Sequence, residues 1–181
     1  MELGFYRFAN KEPNKLAIVG PNEELVSRGE LLSKANKLTH ALRDLGLKKF
    51  DTVAVVLPNS VEYFVVYMAC LQAGFYLVPI NWHLAGPEIA YILEDSEAKA
   101  FIASGKNPDM EKACINAVSE ISFNKKGCIT IDELEGFRHI DDFTKSMPDE
   151  NPHDRSAGQV MNYTSGTTGK PKGVKRNLVE G

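Results

Sequence analysis

The sequence predicts an α/β protein, a mainly parallel sheet with helices on both faces. Three observations carry this. Apolar stripes of helical period alternate with short apolar runs from Ser27 to Ile131, the pattern of βα units. The runs are continuous rather than alternating, as expected of strands covered on both sides. Capping residues and glycines punctuate the helices where such units should begin and end.

In chain order, Leu31, Ala35, Leu38, Leu42 and Leu45 step by four and three and so form one helical face. Ser27 precedes them as N-cap, with Glu30 completing a capping box, and Gly46 marks the stop. The β-branched run Thr52 to Leu57 reads as a buried strand. Ser60 opens a helix through Ala73, closed by Gly74. Tyr76 to Ile80 is a second strand, and Pro87 starts a helix to about Glu94. Lys99 to Ala103 is a third strand, Asp109 to Glu120 a helix, and Cys128 to Ile131 a fourth strand. Asp141 to Arg155 is polar and contains proline, so it is expected as a connection. Repeats and low-complexity tracts are absent from the sequence.

With 181 residues, 43% hydrophobic and 25% charged, the chain has an ordinary globular composition with length for one core. The longest apolar stretch, Phe64 to Leu71, is too short to span a membrane, and the N-terminus shows no signal-peptide core. A net charge of −3 without a large basic patch argues against a nucleic-acid partner. Cys70, Cys114 and Cys128 lack CxxC or metal-ligand spacing and fit reduced, buried thiols in cytoplasm. His40 lies off its helix's apolar stripe and reads as solvated. His83 follows Trp82 and reads as packing or capping. His139 and His153 lack ligand spacing. The pairs Asp141-Asp142 and Asp149-Glu150 lie in polar segments and read as solvated, with no apolar setting to tune their acidity. Tyr63, Phe64 and Tyr67 read as core. No nucleophile–base pair emerges.

One segment concentrates chemistry. Tyr163-Thr164-Ser165-Gly166-Thr167-Thr168-Gly169-Lys170-Pro171-Lys172-Gly173-Val174 holds three glycines and two lysines among four aliphatic hydroxyls. Glycines let successive N–H groups form a concave anion nest, hydroxyls add donors, and lysines add charge suited to phosphate. From Arg155 to Val179 there is no Asp or Glu, whereas Arg155, Lys170, Lys172, Lys175 and Arg176 are cationic. A polyanion is the expected guest. A Walker A loop would run from Gly-Lys-Ser/Thr straight into a helix. Here Pro171 follows Lys170 and biases that residue toward extended backbone, and the first glycine of that motif has no counterpart. Val160 to Tyr163 and Gly173 to Lys175 read as strands, so the segment is expected as strand–loop–strand.

This run resembles the phosphate-binding signature of the adenylate-forming superfamily of acyl-CoA synthetases, luciferases and peptide-synthetase adenylation domains. Leu57-Pro58-Asn59-Ser60, then Ala73-Gly74-Phe75-Tyr76-Leu77-Val78-Pro79-Ile80-Asn81, are similar to its early core. Pro87-Glu88-Ile89-Ala90-Tyr91-Ile92-Leu93 with Asp95-Ser96 is most similar to the fatty-acyl-CoA ligase branch, although His83 stands where that branch usually carries Arg. The resemblance covers nearly the whole chain. It implies the N-terminal portion of the large AMP-binding domain, ending just after the loop at 163–174. It also implies a two-step ligase: a carboxylic acid, in this branch a fatty acid, is activated by ATP with Mg2+ as an acyl-adenylate, then passed to coenzyme A. By motif match, Thr164, Ser165, Gly166, Thr167, Thr168 and Gly169 form the phosphate-contacting turn. Lys172 takes the place of the motif's charged lysine, the catalytic candidate that meets the pyrophosphate leaving group. Lys170 sits at a variable position as a weaker phosphate contact, and Thr164 is the candidate Mg2+ ligand. The family's adenine and ribose contacts, its metal-holding glutamate and its late catalytic lysine all come after this stretch. The chain is therefore expected to be part of a longer enzyme, inactive alone, with a poorly ordered loop. A non-catalytic nucleotide-binding or regulatory module is the alternative. A kinase-like phosphotransferase is disfavoured because no catalytic Asp or metal-binding motif accompanies the loop.

Overall fold

A computed structural model describes residues 4–164 and 170–178. Its sheet is built on a two-residue alternation. Val53 and Val55 point into one hydrophobic core, while Ala54 and Val56, on the same strand, point into another. Successive side chains of a strand face opposite sides, so a strand that is apolar at every position must be covered twice. This one is fully buried throughout.

The elements follow in chain order. Helix α1 (Phe5–Lys11) leads to strands β1 (Leu16–Val19) and β2 (Leu25–Ser27), an antiparallel pair set apart from the main sheet. Then come α2 (Arg28–Asp44), β3 (Thr52–Val56), α3 (Val61–Ala73), β4 (Tyr76–Pro79), α4 (Gly86–Asp95), β5 (Ala98–Ala103) and α5 (Pro108–Glu120). The chain continues through β6 (Cys128–Thr130), β7 (Arg138–His139), α6 (Ile140–Thr144), β8 (Gln159–Val160), β9 (Asn162–Thr164) and β10 (Lys172–Val174).

The helix signals act as their chemistry dictates. Ser27 accepts from the Glu30 amide at 3.2 Å while Glu30 accepts from the Ser27 amide at 2.7 Å, closing the capping box. The Ser60 hydroxyl accepts from the Tyr63 amide at 3.2 Å. Gly74 ends α3 at φ 75°, in the left-handed region that favours glycine.

The six-stranded sheet has the order β7-β6-β5-β3-β4-β8, with every pairing parallel. From β3 the chain moves to β4 on one side, crosses to β5 on the other, continues outward to β6 and β7, and returns to β8 beyond β4. This is a doubly wound arrangement that reverses direction between β3 and β5. Helices α2 and α3 cover one face, where Leu38, Leu42, Val65 and Val66 meet Val53, Val55, Leu77 and Ile102. Helices α4 and α5 cover the other, where Ile89, Leu93, Cys114 and Ala117 meet Ala54, Val56, Val78 and Phe101. Asp132 ties the carboxyl ends of β5 and β6, accepting from the Ser104 hydroxyl at 2.6 Å, the Gly105 amide at 2.7 Å and the Thr130 hydroxyl at 3.1 Å.

Three expectations change. The Asp141 to Arg155 connection overlaps a short helix, because Ile140 and Phe143 bury one turn of it. Its acidic residues are not merely solvated. Asp149 accepts from the Ser33 hydroxyl at 3.0 Å, the carbonyl of Asp149 accepts from Asn36 at 2.8 Å, and Asp154 pairs with Arg43 at 2.6 Å. His40 likewise meets the Glu150 carbonyl at 3.0 Å, so this connection is fastened to α2. Among the helix aromatics, Phe64 is 44% exposed and Tyr63 and Tyr67 are half-buried. Val61, Val65, Val66, Ala69, Cys70 and Ala73 form the buried stripe instead, since their small or branched side chains let α3 lie close to the sheet.

Candidate functional site

The connection from α6 reaches the sheet through a buried polar network. Gln72, 2% exposed, donates to Asn36 at 3.0 Å and Thr39 at 2.8 Å and accepts from the Arg155 Nε at 3.0 Å. Each polar group therefore has partners, which burial demands. The Ser156 and Gly158 amides then donate to the carbonyls of Gln72 and Leu71 at 3.0 and 2.9 Å. This places β8 beside β4, with Tyr76 opposite Gln159 and Leu77 opposite Val160.

At Met161 the backbone still donates to the Leu77 carbonyl at 2.8 Å. Beyond it the strand leaves the sheet. Asn162–Thr164 pairs instead with Lys172–Val174, antiparallel, with Thr164 opposite Lys172, Tyr163 opposite Gly173 and Asn162 opposite Val174. The strand expected over 160–163 is thus two strands, one parallel to β4 and one in a hairpin. The second arm runs 172–174 rather than 173–175. Strand–loop–strand is the observed layout, and the chain is extended from Lys172 where a Walker loop would be helical. Ser165, Gly166, Thr167, Thr168 and Gly169, and the expected disorder of their loop, lie outside the described residues.

The hairpin has two different faces. Asn162, Thr164, Lys172 and Val174 are exposed on one, while Tyr163 and Gly173 are half-buried on the other. The exposed face opens on a cleft of about 460 Å3 along the outer edge of β8, lined by Tyr67 and Leu71 of α3 and by Gln159, Asn162, Thr164 and Arg176. Among the described residues no carboxylate lines it. Of the cations, Lys170 lies 4.9 Å from the Tyr91 ring centre and Lys175 lies 4.6 Å from that of Tyr76. Arg155 is committed to the Gln72 network and stacks on Tyr6 at 4.8 Å. Lys172 is exposed and has no side-chain partner among the described residues. The structure therefore brings Thr164 and Lys172 together as cross-strand neighbours and sends Lys170 to the opposite side.

Three residues that sequence reasoning passed over hold the hairpin. Tyr163 donates to Asp95 at 2.7 Å, Tyr91 donates to the Pro171 carbonyl at 3.1 Å, and Tyr76 donates to the Arg176 carbonyl at 2.7 Å. Burial and then the Asp95 carboxylate raise the pKa of Tyr163 above that of an ordinary phenol, and burial followed by Asp95 raises that of Tyr91. Both phenols stay protonated donors. The four-residue spacing of Tyr91 and Asp95 was the available signal. His83 stacks on Trp82, with its amide donating to Asn81 at 3.1 Å. It lies on the rim of a separate groove beside α4 and α5 rather than on the cleft of the hairpin. Among the described residues no three His, Cys, Asp or Glu side chains form a metal-holding group, and no helix is long and apolar enough to cross a membrane.

Comparison with known proteins agrees with this geometry. The family model described as AMP-binding enzyme matches residues 5–177. The chain is 31% identical over 170 residues to long-chain-fatty-acid–CoA ligase FadD13 of Mycobacterium tuberculosis, covering 92% of this chain and 32% of that protein. It is 33% identical over 170 residues to gramicidin S synthase 1 of Brevibacillus brevis, covering 94% and 14% of the two chains. Among solved structures, anthranilate CoA ligase AuaEII in complex with anthranoyl-AMP superposes with a TM-score of 0.78 at 25% identity, over 94% of this chain and 33% of that one. The chain thus spans about a third of the length of FadD13 and of this ligase. A match from the first helix to the end of the hairpin makes the chain a member of the AMP-binding enzyme family, the acyl-adenylate-forming ligases.

Proposed function

We propose that the protein containing this chain is an AMP-forming acid–thiol ligase that activates a carboxylic acid, most suitably a fatty acid, with ATP and transfers the acyl group to coenzyme A. The observation that carries the reading is the hairpin's exposed face. Thr164 and Lys172 stand opposite each other there, and Thr164 lines a cleft that has no carboxylate among the described residues. The fatty-acid assignment is supported by the likeness to FadD13 and to the fatty acid–acyl-carrier-protein ligase ScoC of Streptomyces coeruleorubidus, at 32% identity over 173 residues. An aromatic acid is the second reading, favoured by the superposition on an anthranilate ligase.

In the proposed reaction the acid's carboxylate attacks the α-phosphorus, forming the acyl-adenylate and releasing pyrophosphate. The coenzyme A thiol then attacks the acyl carbon and displaces AMP. Negative charge grows on the departing pyrophosphate, so the protein's task is positioning and electrostatic stabilisation. Lys172 is assigned to that charge. Ser165, Gly166, Thr167, Thr168 and Gly169 are proposed to turn around the phosphates, with Lys170 as a peripheral contact. The Thr164 hydroxyl is a hard oxygen donor of the type Mg2+ accepts when phosphate and water supply its other ligands. Bound there, Mg2+ would offset phosphate charge.

The test uses the longest natural chain that contains residues 1–181. It should catalyse acid-dependent exchange of pyrophosphate into ATP with fatty acids ahead of aromatic ones. A charge-assisted contact is worth about 1.5–3 kcal/mol, so Lys172→Ala should slow adenylation roughly ten- to a hundredfold. Thioester formation from supplied acyl-adenylate should be nearly untouched, because no pyrophosphate takes part. Equal loss in both half-reactions would remove Lys172 from this role. ATP binding without any exchange would favour a regulatory module.

A further inference from the structure

We infer that one face of α4, formed by Tyr91 and Asp95, is a seat that orients the hairpin, making Tyr163, Asp95 and Tyr91 positioning residues for the groups at 164 and 172. Tyr91 and Asp95 are one helical turn apart and so project side by side. Each takes a different arm of the hairpin: Asp95 accepts from Tyr163 of β9 at 2.7 Å, and Tyr91 donates to the carbonyl of Pro171, just before β10, at 3.1 Å. The Tyr91 ring also carries the Lys170 ammonium, 4.9 Å from its centre. A phenol donating to a carboxylate is the stronger, charge-assisted kind of hydrogen bond.

Gly173 is the second half of the device. It lies opposite Tyr163, and a Cβ at this position would come within 3.0 Å of the Tyr163 ring and 2.3 Å of the Met161 methyl. The absent side chain is the notch in which the Tyr163 ring crosses the hairpin to reach Asp95. Since neighbouring strand residues face opposite sides, pinning Tyr163 to α4 turns Thr164 and Lys172 away from it, onto the exposed face whose Thr164 lines the cleft. If the seat fails, the hairpin can rotate and Lys172 loses its aim without losing its charge.

Two measurements test the seat on the same natural chain. The kinetic one rests on the ligase reading above, and the amide-exchange one does not. Tyr163→Phe keeps the ring and drops the hydroxyl. It should speed exchange of amides 162–164 and 172–174 by about three- to tenfold, the scale of one net hydrogen bond. Asp95→Ala should do the same, the double variant should add little to either single one, and Asp95→Asn, which keeps an oxygen acceptor, should restore most of the protection. Adenylation kcat should fall by a similar factor in Tyr163→Phe and Asp95→Ala, with thioester formation from supplied acyl-adenylate unchanged. Wild-type amide exchange in Tyr163→Phe, or additive effects of the two substitutions, would overturn the seat. So would altered exchange with wild-type adenylation. A wild-type chain with no acid-dependent activity would refute the ligase reading alone and leave the exchange measurement to decide the seat.

Discussion

Cysteine is the residue type whose chemistry the surroundings change most. All three thiols are buried. Burial pushes Cys114 up to about 12 and Cys128 up to about 11, and raises Cys70 as well, because a thiolate has no water to solvate it there. Native protein at pH 8 should therefore react negligibly with a thiol reagent, while protein in denaturant should titrate all three cysteines. A burst of labelling in native buffer would contradict their placement. Unfolding frees each thiol to ionise near its ordinary value of 9.0, so above that pH the unfolded state holds fewer protons than the native state. Stability contributed by the neutral thiols is complete below pH 9 and declines as pH rises toward the folded values. A urea-midpoint series from pH 8 to about 10.5 should fall, and Cys128→Ser should make the fall shallower. The burial of cysteine was legible in the sequence, since thiols without ligand spacing pack as small hydrophobes. Phe64 was misjudged because position on a helix depends on which stripe meets the sheet, and composition does not decide that.

At the scale of elements, the long capped helices and continuous strands were readable because each carries its own signal over many residues. The short ones were not. Strand β7 and strand β8 have two residues each and α6 has five, too few to show a period, and they form only because neighbours supply partners. Strand β8 shows what such an element needs. A Cβ on Gly158 would lie 2.3 Å from the Cys70 carbonyl oxygen and 2.5 Å from that of Phe75. Both are backbone atoms that cannot swing aside, so Gly158→Ala must lift the chain away from α3 and β4. Overpacking of this kind costs about 1–3 kcal/mol. Denaturant titration should show that loss, and amide exchange should rise at Ser156, Gly158 and Gln159, which donate to Gln72, Leu71 and Phe75. An alanine variant as stable as wild type would show that the approach is less close.

For the whole molecule, the two cores share strands rather than dividing the chain. Leu38 sits on one face and Ile89 on the other, yet both rest on the central strands β3, β4 and β5. Leu38→Ala and Ile89→Ala should each cost about 2–5 kcal/mol. Both should lower the midpoint of one common transition, seen alike by fluorescence and circular dichroism. Separate transitions for the two substitutions would show that the faces fold independently.

Local signals by themselves determined the α/β class, the boundaries of the capped helices, the buried strands and the strand–loop–strand form of the hydroxyl-rich segment. Each depends on residues close together in the chain: a capping side chain, a period, a proline that bars a helix. Strand order, the crossing from β4 to β5, the fastening of the 149–156 connection through Gln72, and the seat of the hairpin on α4 came only with tertiary structure. Asp95 and Tyr163 are 68 residues apart, and Asn36 and Asp149 are 113 apart. No local propensity encodes such pairings. Packing helices on both faces of one sheet is what sets them side by side, and it also decides that Lys172 is exposed on the hairpin's outer face while Lys170 rests on Tyr91.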